Sequence, residues 1–157
     1  MPRLAAQAGL AIVEYLWMKS LITIVAGVVV GGLVVFLVEA FGSLMLSMLT
    51  GIEPITAQGA AALSSVRPNE ALLVVVLAYI LGPLSGGYAA GRLAPRKPYQ
   101  HAAVVGSIQL IPGMVTLALF PHPEWFWIAT LLTFIPAALF GAGLAGSGRR
   151  RRRQKMS

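Results

Sequence analysis

The sequence predicts an all-α membrane protein, a single domain in which four transmembrane helices form a bundle. Of the 157 residues, 57% are hydrophobic and 11% are charged, whereas about a quarter of the residues of a soluble domain are charged. The mean hydropathy is +0.80, and the apolar residues are gathered in four long runs. These observations exclude an ordinary soluble fold, a disordered tail and a soluble nucleic-acid-binding module.

Each apolar run is long enough to cross a bilayer once, since about 20 residues of helix span a hydrocarbon core of roughly 30 Å. Only helices and closed barrels satisfy their backbone hydrogen bonds in lipid, and the runs lack the alternating polarity of barrel strands. We therefore expect helices over residues 21–38, 71–90, 102–120 and 125–144, and a basic tail over 147–157. The whole chain, residues 1–157, is expected to be one domain.

The first run has a second interpretation, a signal peptide cleaved near Val38-Glu39-Ala40. The run is longer than the 7–15 apolar residues of a typical signal peptide, and about 20 residues precede it. A retained helix is therefore favoured.

The basic residues predict the orientation of the bundle. With four spans, eleven of the twelve basic residues fall on the side of the termini: Arg3, Lys19, Arg92, Arg96, Lys97, Arg149, Arg150, Arg151, Arg152, Arg153 and Lys155. The opposite side holds Arg67 and the acids Glu39, Glu53, Glu70 and Glu124. Because lysine and arginine in short flanking segments stay in the cytoplasm, both termini are expected to be cytoplasmic.

The long segment between the first two runs is expected to be external and partly helical. Phe41, Leu44, Met45, Met48 and Leu49 share one helical face. This pattern predicts a short helix on the membrane surface, or else a continuation of the first helix beyond the bilayer. Gly51 and Pro54 are expected to end it, and residues 59–66 are small and apolar enough for another short helix.

The third connection is short and contains two prolines, in the order Pro121-His122-Pro123-Glu124. It predicts an antiparallel hairpin between the third and fourth helices. Trp125 and Trp127 follow at the level of the lipid headgroups, where tryptophan is common.

Small residues spaced four apart predict close helix packing. The positions are Gly27 with Gly31, Gly82 with Gly86, Gly87 with Gly91, and Gly141 between Ala137 and Ala145. In lipid, such pairs let two backbones approach each other. They indicate packing within the bundle or, as an alternative, a homodimer through the first helix. Prolines in the second and third runs are expected to kink those helices, a feature that builds substrate sites in some transporters.

The polar residues near the spans supply a small set of candidate functional groups. No ionisable residue lies deep in any run, and Gln109 is the strongest polar group there. Glu39 is expected to reach the interface or, alternatively, to face a cavity with His122 and Glu124 on the same side. Such a cluster would suit cation binding or acid–base work.

Motifs for cofactors or metals are missing from the sequence, so none is expected. Cysteine is absent, which excludes thiolate chemistry and cysteine metal sites. His101 and His122 lie at opposite ends of one predicted helix, about 30 Å apart, so they cannot bind one metal ion or one haem within a protomer. No catalytic or phosphate-binding motif occurs.

The arginine tail has two interpretations. Residues Arg149 to Arg153 directly follow the last run, where cations hold a terminus in the cytoplasm and attract anionic headgroups. Recruitment of nucleic acid is the weaker alternative. The expected partners are thus a bilayer with anionic headgroups and a homodimer or larger membrane complex, with no nucleic acid.

Two segments resemble uncharacterised bacterial four-helix membrane proteins. The first runs from Leu81 to Arg92 and continues with Pro95, Arg96 and His101; the second runs from Pro121 to Trp127, with Ile135 to Leu139. The resemblance covers all four spans and includes an acid at Glu39. It implies a multi-pass protein of the bacterial inner (plasma) membrane, and it carries no activity.

Three functions remain open from the sequence. The first is a non-enzymatic accessory or scaffold component of the membrane, suggested by small size and packing glycines. The second is a small oligomeric transporter or channel built around Gln109 and the proline-containing helices. The third is an enzyme whose outer-face site, with Glu39, His122 and Glu124, acts on a lipid or envelope substrate.

Overall fold

The computed structural model describes residues 2–51, 69–119 and 122–154. This part of the chain forms four helices: α1 (Pro2–Thr50), α2 (Asn69–Leu93), α3 (Pro98–Leu119) and α4 (Glu124–Gln154). All four are long and apolar enough to cross a membrane, and none of the described residues forms a strand. For these described residues, the prediction of an all-helical protein with four helices of membrane-spanning length and composition is confirmed.

Helix α1 is much longer than the predicted first span. Its 49 residues correspond to about 74 Å at 1.5 Å per residue, more than twice a hydrocarbon core. The prediction of a separate surface helix after residue 38 is wrong, because α1 passes through Glu39 without interruption and the alternative of a continuous helix holds. Residues 59–66 lie outside the described part of the chain.

The end of α1 is set by a glycine rather than by a charge. Gly51 has a φ of +72°, which glycine adopts without the steric cost that a Cβ imposes. Its N–H still donates to the carbonyl oxygen of Ser47, at 2.8 Å. A carboxylate such as Glu39 removes no backbone hydrogen bond, so it does not end a helix.

The other three helices each contain one internal proline, at Pro83, Pro112 and Pro136. Each helix continues through its proline even though the ring removes one backbone donor. α4 also extends beyond its predicted end at residue 144 into the basic tail. Proline and a change to polar residues are therefore poor markers of helix ends in this chain.

Helices α2 and α3 form the centre of the bundle. Each contacts the other three helices, whereas α1 and α4 lie on opposite sides of this pair and barely meet. α1 packs on α2 through glycines: a Cβ on Gly86 would lie 2.6 Å from the carbonyl oxygen of Gly27, and one on Gly82 would lie 3.0 Å from that of Gly31. The two backbones are therefore in direct contact, antiparallel.

A second glycine surface of α2 contacts α4. A Cβ on Gly87 would lie 2.6 Å from the Cα of Ala138, and one on Gly91 would lie 2.8 Å from the Cα of Ala142. Gly141 makes the matching contact from α4, since a Cβ on it would lie 2.8 Å from the backbone nitrogen of Tyr88. The glycines singled out in the sequence thus lie in contacts within the bundle, and a homodimer through α1 would need a face other than that of Gly27 and Gly31.

Aromatic rings fill the bundle at the end where α2 begins. The ring of Tyr79 lies 5.1 Å from that of Phe134 and 6.3 Å from that of Phe126, measured between centroids. Leu72, Val75 and Leu117 complete this buried cluster. It forms one wall of the cavity described next.

Candidate functional site

A cavity of about 250 Å³ lies among the four helices. All four contribute to its lining, which is mostly apolar and includes four residues with polar side chains. The lining residues are Gly32, Val35, Phe36, Glu39, Tyr79, Gln109, Pro112, Gly113, Thr116 and Phe134. The cavity is partly open to the surroundings of the bundle.

The cavity extends from the middle of the bundle toward the end that carries Glu39. Gln109 lies near the midpoint of α3, and its side chain fills the space beside Gly31 of α1. Glu39 is eight residues further along α1, about 12 Å at the helical rise. A Cβ on Gly42, one turn beyond, would lie 3.0 Å from a methyl group of Val74, close to the start of α2.

Glu39 is the acidic residue of this site. It is partly buried, it lines the cavity, and it interacts with other groups of the protein. In a helix the Cα–Cβ bond is tilted toward the N-terminus, which for α1 is the direction of the bundle's middle. Glu39 therefore lines a cavity, which is one part of the alternative that grouped it with His122 and Glu124.

Gln109 is held at the inner end of the cavity. Its Nε2 donates to the carbonyl oxygens of Gly27 and Val28, at 3.4 and 3.3 Å, which are long for N–H···O bonds. The side chain is only 6% exposed. Its Oε1 is buried with no hydrogen-bond partner in the described part of the chain. A buried acceptor of this kind costs free energy unless a donor reaches it.

The remaining polar groups of the lining are hydroxyls. Tyr79 is 4% exposed and belongs to the aromatic cluster, and Thr116 donates from its Oγ1 to the carbonyl oxygen of Pro112 at 3.0 Å. Sequence reasoning gave Tyr79 no role. The signal was present, since a tyrosine inside an apolar run brings a hydroxyl that needs a partner when buried.

His122 and Glu124 do not line this cavity. His122 stacks on the ring of Phe126, with the centroids 4.8 Å apart and the planes 11° from parallel. Glu124 is exposed in the first turn of α4, where a carboxylate meets the positive end of the helix dipole. Within the described residues, no three His, Asp or Glu side chains are grouped so as to hold a metal ion. Glu39 thus shares its cavity with Gln109 rather than with these two residues.

Three of the described basic residues lie at the opposite end of the bundle. Arg92, Arg96 and Lys97 are exposed around the connection between α2 and α3. Lys97 has a φ of 49°, and its carbonyl oxygen accepts hydrogen bonds from the N–H groups of Gln100 and His101 in the first turn of α3. The side chains of Arg149 to Arg153 lie outside the described part of the structure.

Comparison of the chain with protein-family models, curated proteins and solved structures found no match. The resemblance to bacterial four-helix membrane proteins therefore stays a prediction.

Proposed function

We propose that this protein binds a small solute inside its helical bundle and carries it across a bacterial inner membrane, with both termini in the cytoplasm. The observation that carries the proposal is the cavity that Glu39 and Gln109 share. Ligand sites between the helices of bundles commonly combine an apolar lining with a few convergent polar groups, as this cavity does.

The position of Glu39 supports a solute pathway. Ionisable side chains within membrane helices are costly, and those that persist usually face a cavity and mark the path of a substrate or ion. Glu39 lies in an apolar helix and lines a cavity that reaches the middle of the bundle. No ionisable residue lies deep in a predicted span, but a charged residue at the end of a span that faces inward can serve the same pathway.

The enzyme hypothesis has less support. It required Glu39, His122 and Glu124 in one site, yet neither His122 nor Glu124 is among the lining residues of the cavity. General acid–base catalysis needs its groups within hydrogen-bond reach of the same substrate atom or one water away.

An accessory or scaffold role is the second candidate, and the N-terminal part of α1 favours it. From Leu10 to Met18 the large apolar side chains are mostly exposed, with Trp17 68% exposed. This stretch precedes Thr23, the first buried residue of α1 among those described. An exposed apolar stretch of this kind is typical of a contact with lipid or with a partner protein.

A cavity-filling variant tests the proposed function. Gly32 lines the cavity, and a Cβ there would meet nothing within 4 Å, so Gly32→Leu should fill the site without disturbing the packing. Gly146→Leu is the matched control, since Gly146 is exposed and equally unobstructed. The measurement is the melting temperature in detergent with a panel of small cations, anions and neutral solutes, followed by flux of each hit into proteoliposomes.

At least one solute should raise the melting temperature of the wild type and of Gly146→Leu but not of Gly32→Leu. That same solute should enter proteoliposomes of the wild type faster than those of Gly32→Leu. A panel without any hit, or hits that bind Gly32→Leu equally well, would remove the cavity as the functional site.

A further inference from the structure

We infer that the solute is an organic ammonium ion, bound with its charged nitrogen at Glu39 and its apolar part between Phe36 and Phe134. This inference rests on the proposed function and names the class of solute that the cavity accepts. The charge of the lining, its aromatic rings, its volume and the unpartnered oxygen of Gln109 together favour this class of solute.

The charge of the lining favours a cation. Among the described residues that line the cavity, Glu39 is the single acid and none is basic. A charge in an apolar environment is very costly unless an opposite charge accompanies it, so an anionic solute would be excluded. A carboxylate has about four acceptor sites, so Glu39 can bind an ammonium group while keeping contacts within the protein.

The aromatic side chains favour an ammonium ion that carries an apolar group. Phe36, Tyr79 and Phe134 all line the cavity. Aromatic faces attract ammonium groups, most strongly where water is excluded, and they pack well against hydrocarbon. The combination of one carboxylate with three rings suits an amine attached to an alkyl or aryl group.

A metal ion fits the site less well. Calcium takes six to eight oxygen ligands and magnesium six, whereas the lining offers four polar side chains from three helices. Two of these lie far apart: Gln109 lies beside Gly31 of α1, and Glu39 is about 12 Å further along the same helix. An elongated solute can contact both ends of such a cavity, and a single ion cannot.

The volume sets the size of the amine. At about 250 Å³ the cavity is smaller than the 300–1,000 Å³ that drug-sized ligands occupy. It has the volume of about eight water molecules at ~30 Å³ each. A single-ring or short-chain amine fits this space.

Gln109 supplies independent support from the inner end of the cavity. Its side chain is 94% buried, and its Oε1 lacks a donor in the described part of the chain. The orientation of the amide is set by the two carbonyl oxygens that its Nε2 approaches, which leaves the oxygen as the unsatisfied atom. A solute with a second N–H or O–H group at its far end would satisfy it.

The ammonium group has two sources, a free amine or the headgroup of an ethanolamine lipid. Glu39 lies near the end of the bundle where α2 begins, so a lipid headgroup at that level would reach it. The chemistry at the carboxylate is the same in both cases. The experiment therefore includes an arm for each source.

Binding to the purified full-length chain in detergent tests the inference. The probes are 2-phenylethylammonium and its uncharged analogue 2-phenylethanol, and their binding is measured by calorimetric titration. For the lipid source, phosphatidylethanolamine or phosphatidylcholine is added to the detergent micelles as a competitor. Glu39→Gln removes the charge and keeps the shape. Glu124→Gln is the matched control, because it removes an exposed acid outside the cavity.

The wild type should bind 2-phenylethylammonium at least tenfold more tightly than 2-phenylethanol. Glu39→Gln should lose at least tenfold in affinity for the amine, and Glu124→Gln should keep the wild-type value. Competition by phosphatidylethanolamine, but not by phosphatidylcholine, assigns the ammonium group to a lipid; without competition the solute is a free amine.

Equal affinity for the amine and the alcohol, or unchanged amine binding by Glu39→Gln, would overturn the ammonium assignment. The proposed function would survive that result if other solutes still bound the wild type and not Gly32→Leu. If neither the amine nor the ethanolamine lipid binds the wild type, the inference is likewise wrong.

A labelling experiment on the wild type decides the matter if Glu39→Gln does not fold. Dicyclohexylcarbodiimide modifies carboxyl groups in apolar surroundings, and mass spectrometry of peptides locates the adduct. Protection of Glu39 by 2-phenylethylammonium but not by 2-phenylethanol supports the inference, and equal labelling with either compound overturns it.

Discussion

The side chain of Gln109 occupies the space that any side chain at Gly31 would need. A Cβ on Gly31 would overlap the amide nitrogen of Gln109, and it would also lie 2.6 Å from the carbonyl oxygen of Gly82. One glycine therefore allows two contacts, the close approach of α1 to α2 and the entry of a polar side chain from α3. The packing of the bundle and the inner end of the cavity depend on the same position.

Gly31→Ala should destabilise the bundle, and Gly32→Ala should not. The tip of Gln109 can move away from a new methyl group, but the backbone oxygen of Gly82 cannot, so overpacking of about 1–3 kcal/mol is expected. At Gly32 a Cβ meets nothing within 4 Å, and alanine is the better helix former. Thermal unfolding in detergent compares the two, and equal melting temperatures would contradict this account of the α1–α2 contact.

The contact between α2 and α4 gives a second test of glycine packing. A Cβ on Gly87 would lie 2.6 Å from both the Cα and the carbonyl carbon of Ala138, atoms that cannot move without shifting α4. Gly87→Ala should therefore lower the melting temperature by several degrees, since overpacking costs about 1–3 kcal/mol. Gly146→Ala is the control, because nothing lies within 4 Å of its Cβ position, and it should be neutral.

The sequence predicted four helices because apolar runs of membrane length leave few alternatives. It ended the first span at residue 38, before the charge of Glu39, and left the continuation of α1 beyond that residue as an alternative. Glu14, Lys19 and Glu39 all lie within one unbroken helix, since charged side chains leave the backbone hydrogen bonds intact. α1 ends before Gly51, which has a positive φ, and this glycine is one of the two residues at which the sequence predicted a break.

The candidate site was only partly predictable for a different reason. Glu39 and Gln109 stand out as polar residues in apolar runs, but their levels in the bundle depend on the register between helices. That register is set where Gly27 and Gly31 meet Gly86 and Gly82. The spacing of small residues predicts that such contacts exist, and it does not tell which glycine meets which.

Gln109→Met should leave stability within about 1 kcal/mol of the wild type and weaken solute binding. Methionine keeps nearly the same volume and removes the buried Oε1 that has no partner in the described residues. The hydrogen bonds lost with Nε2 are long ones. A paired measurement of melting temperature and of the affinity for 2-(4-hydroxyphenyl)ethylammonium, which carries a second O–H donor at its far end, checks this. A loss of stability above about 2 kcal/mol would show that the amide stabilises the bundle.

Lys97→Gly should stabilise the connection between α2 and α3. Lys97 has a φ of 49°, a left-handed conformation that costs a residue with a Cβ roughly 1–2 kcal/mol. Glycine removes that cost. Arg96→Gly is matched in charge and position but lacks the positive φ, so it should not stabilise the protein. A lower melting temperature for Lys97→Gly than for Arg96→Gly would contradict the strain argument.

The predicted orientation places the Glu39 end of the bundle outside the cytoplasm, so that the proposed cavity would open outward. Because the chain has no cysteine, single cysteines report on each side without a background. Gln100 is exposed near the start of α3, and Glu124 is exposed at the start of α4, which lies at the opposite end of the bundle. An impermeant maleimide should label Glu124→Cys in intact spheroplasts, and it should label Gln100→Cys only after the membrane is permeabilised. A C-terminal fusion after Ser157 should likewise be active with a reporter that works in the cytoplasm, and inactive with one that works only outside it. The reverse labelling pattern would show the opposite orientation in the membrane, in which the cavity would receive its solute from the cytoplasm.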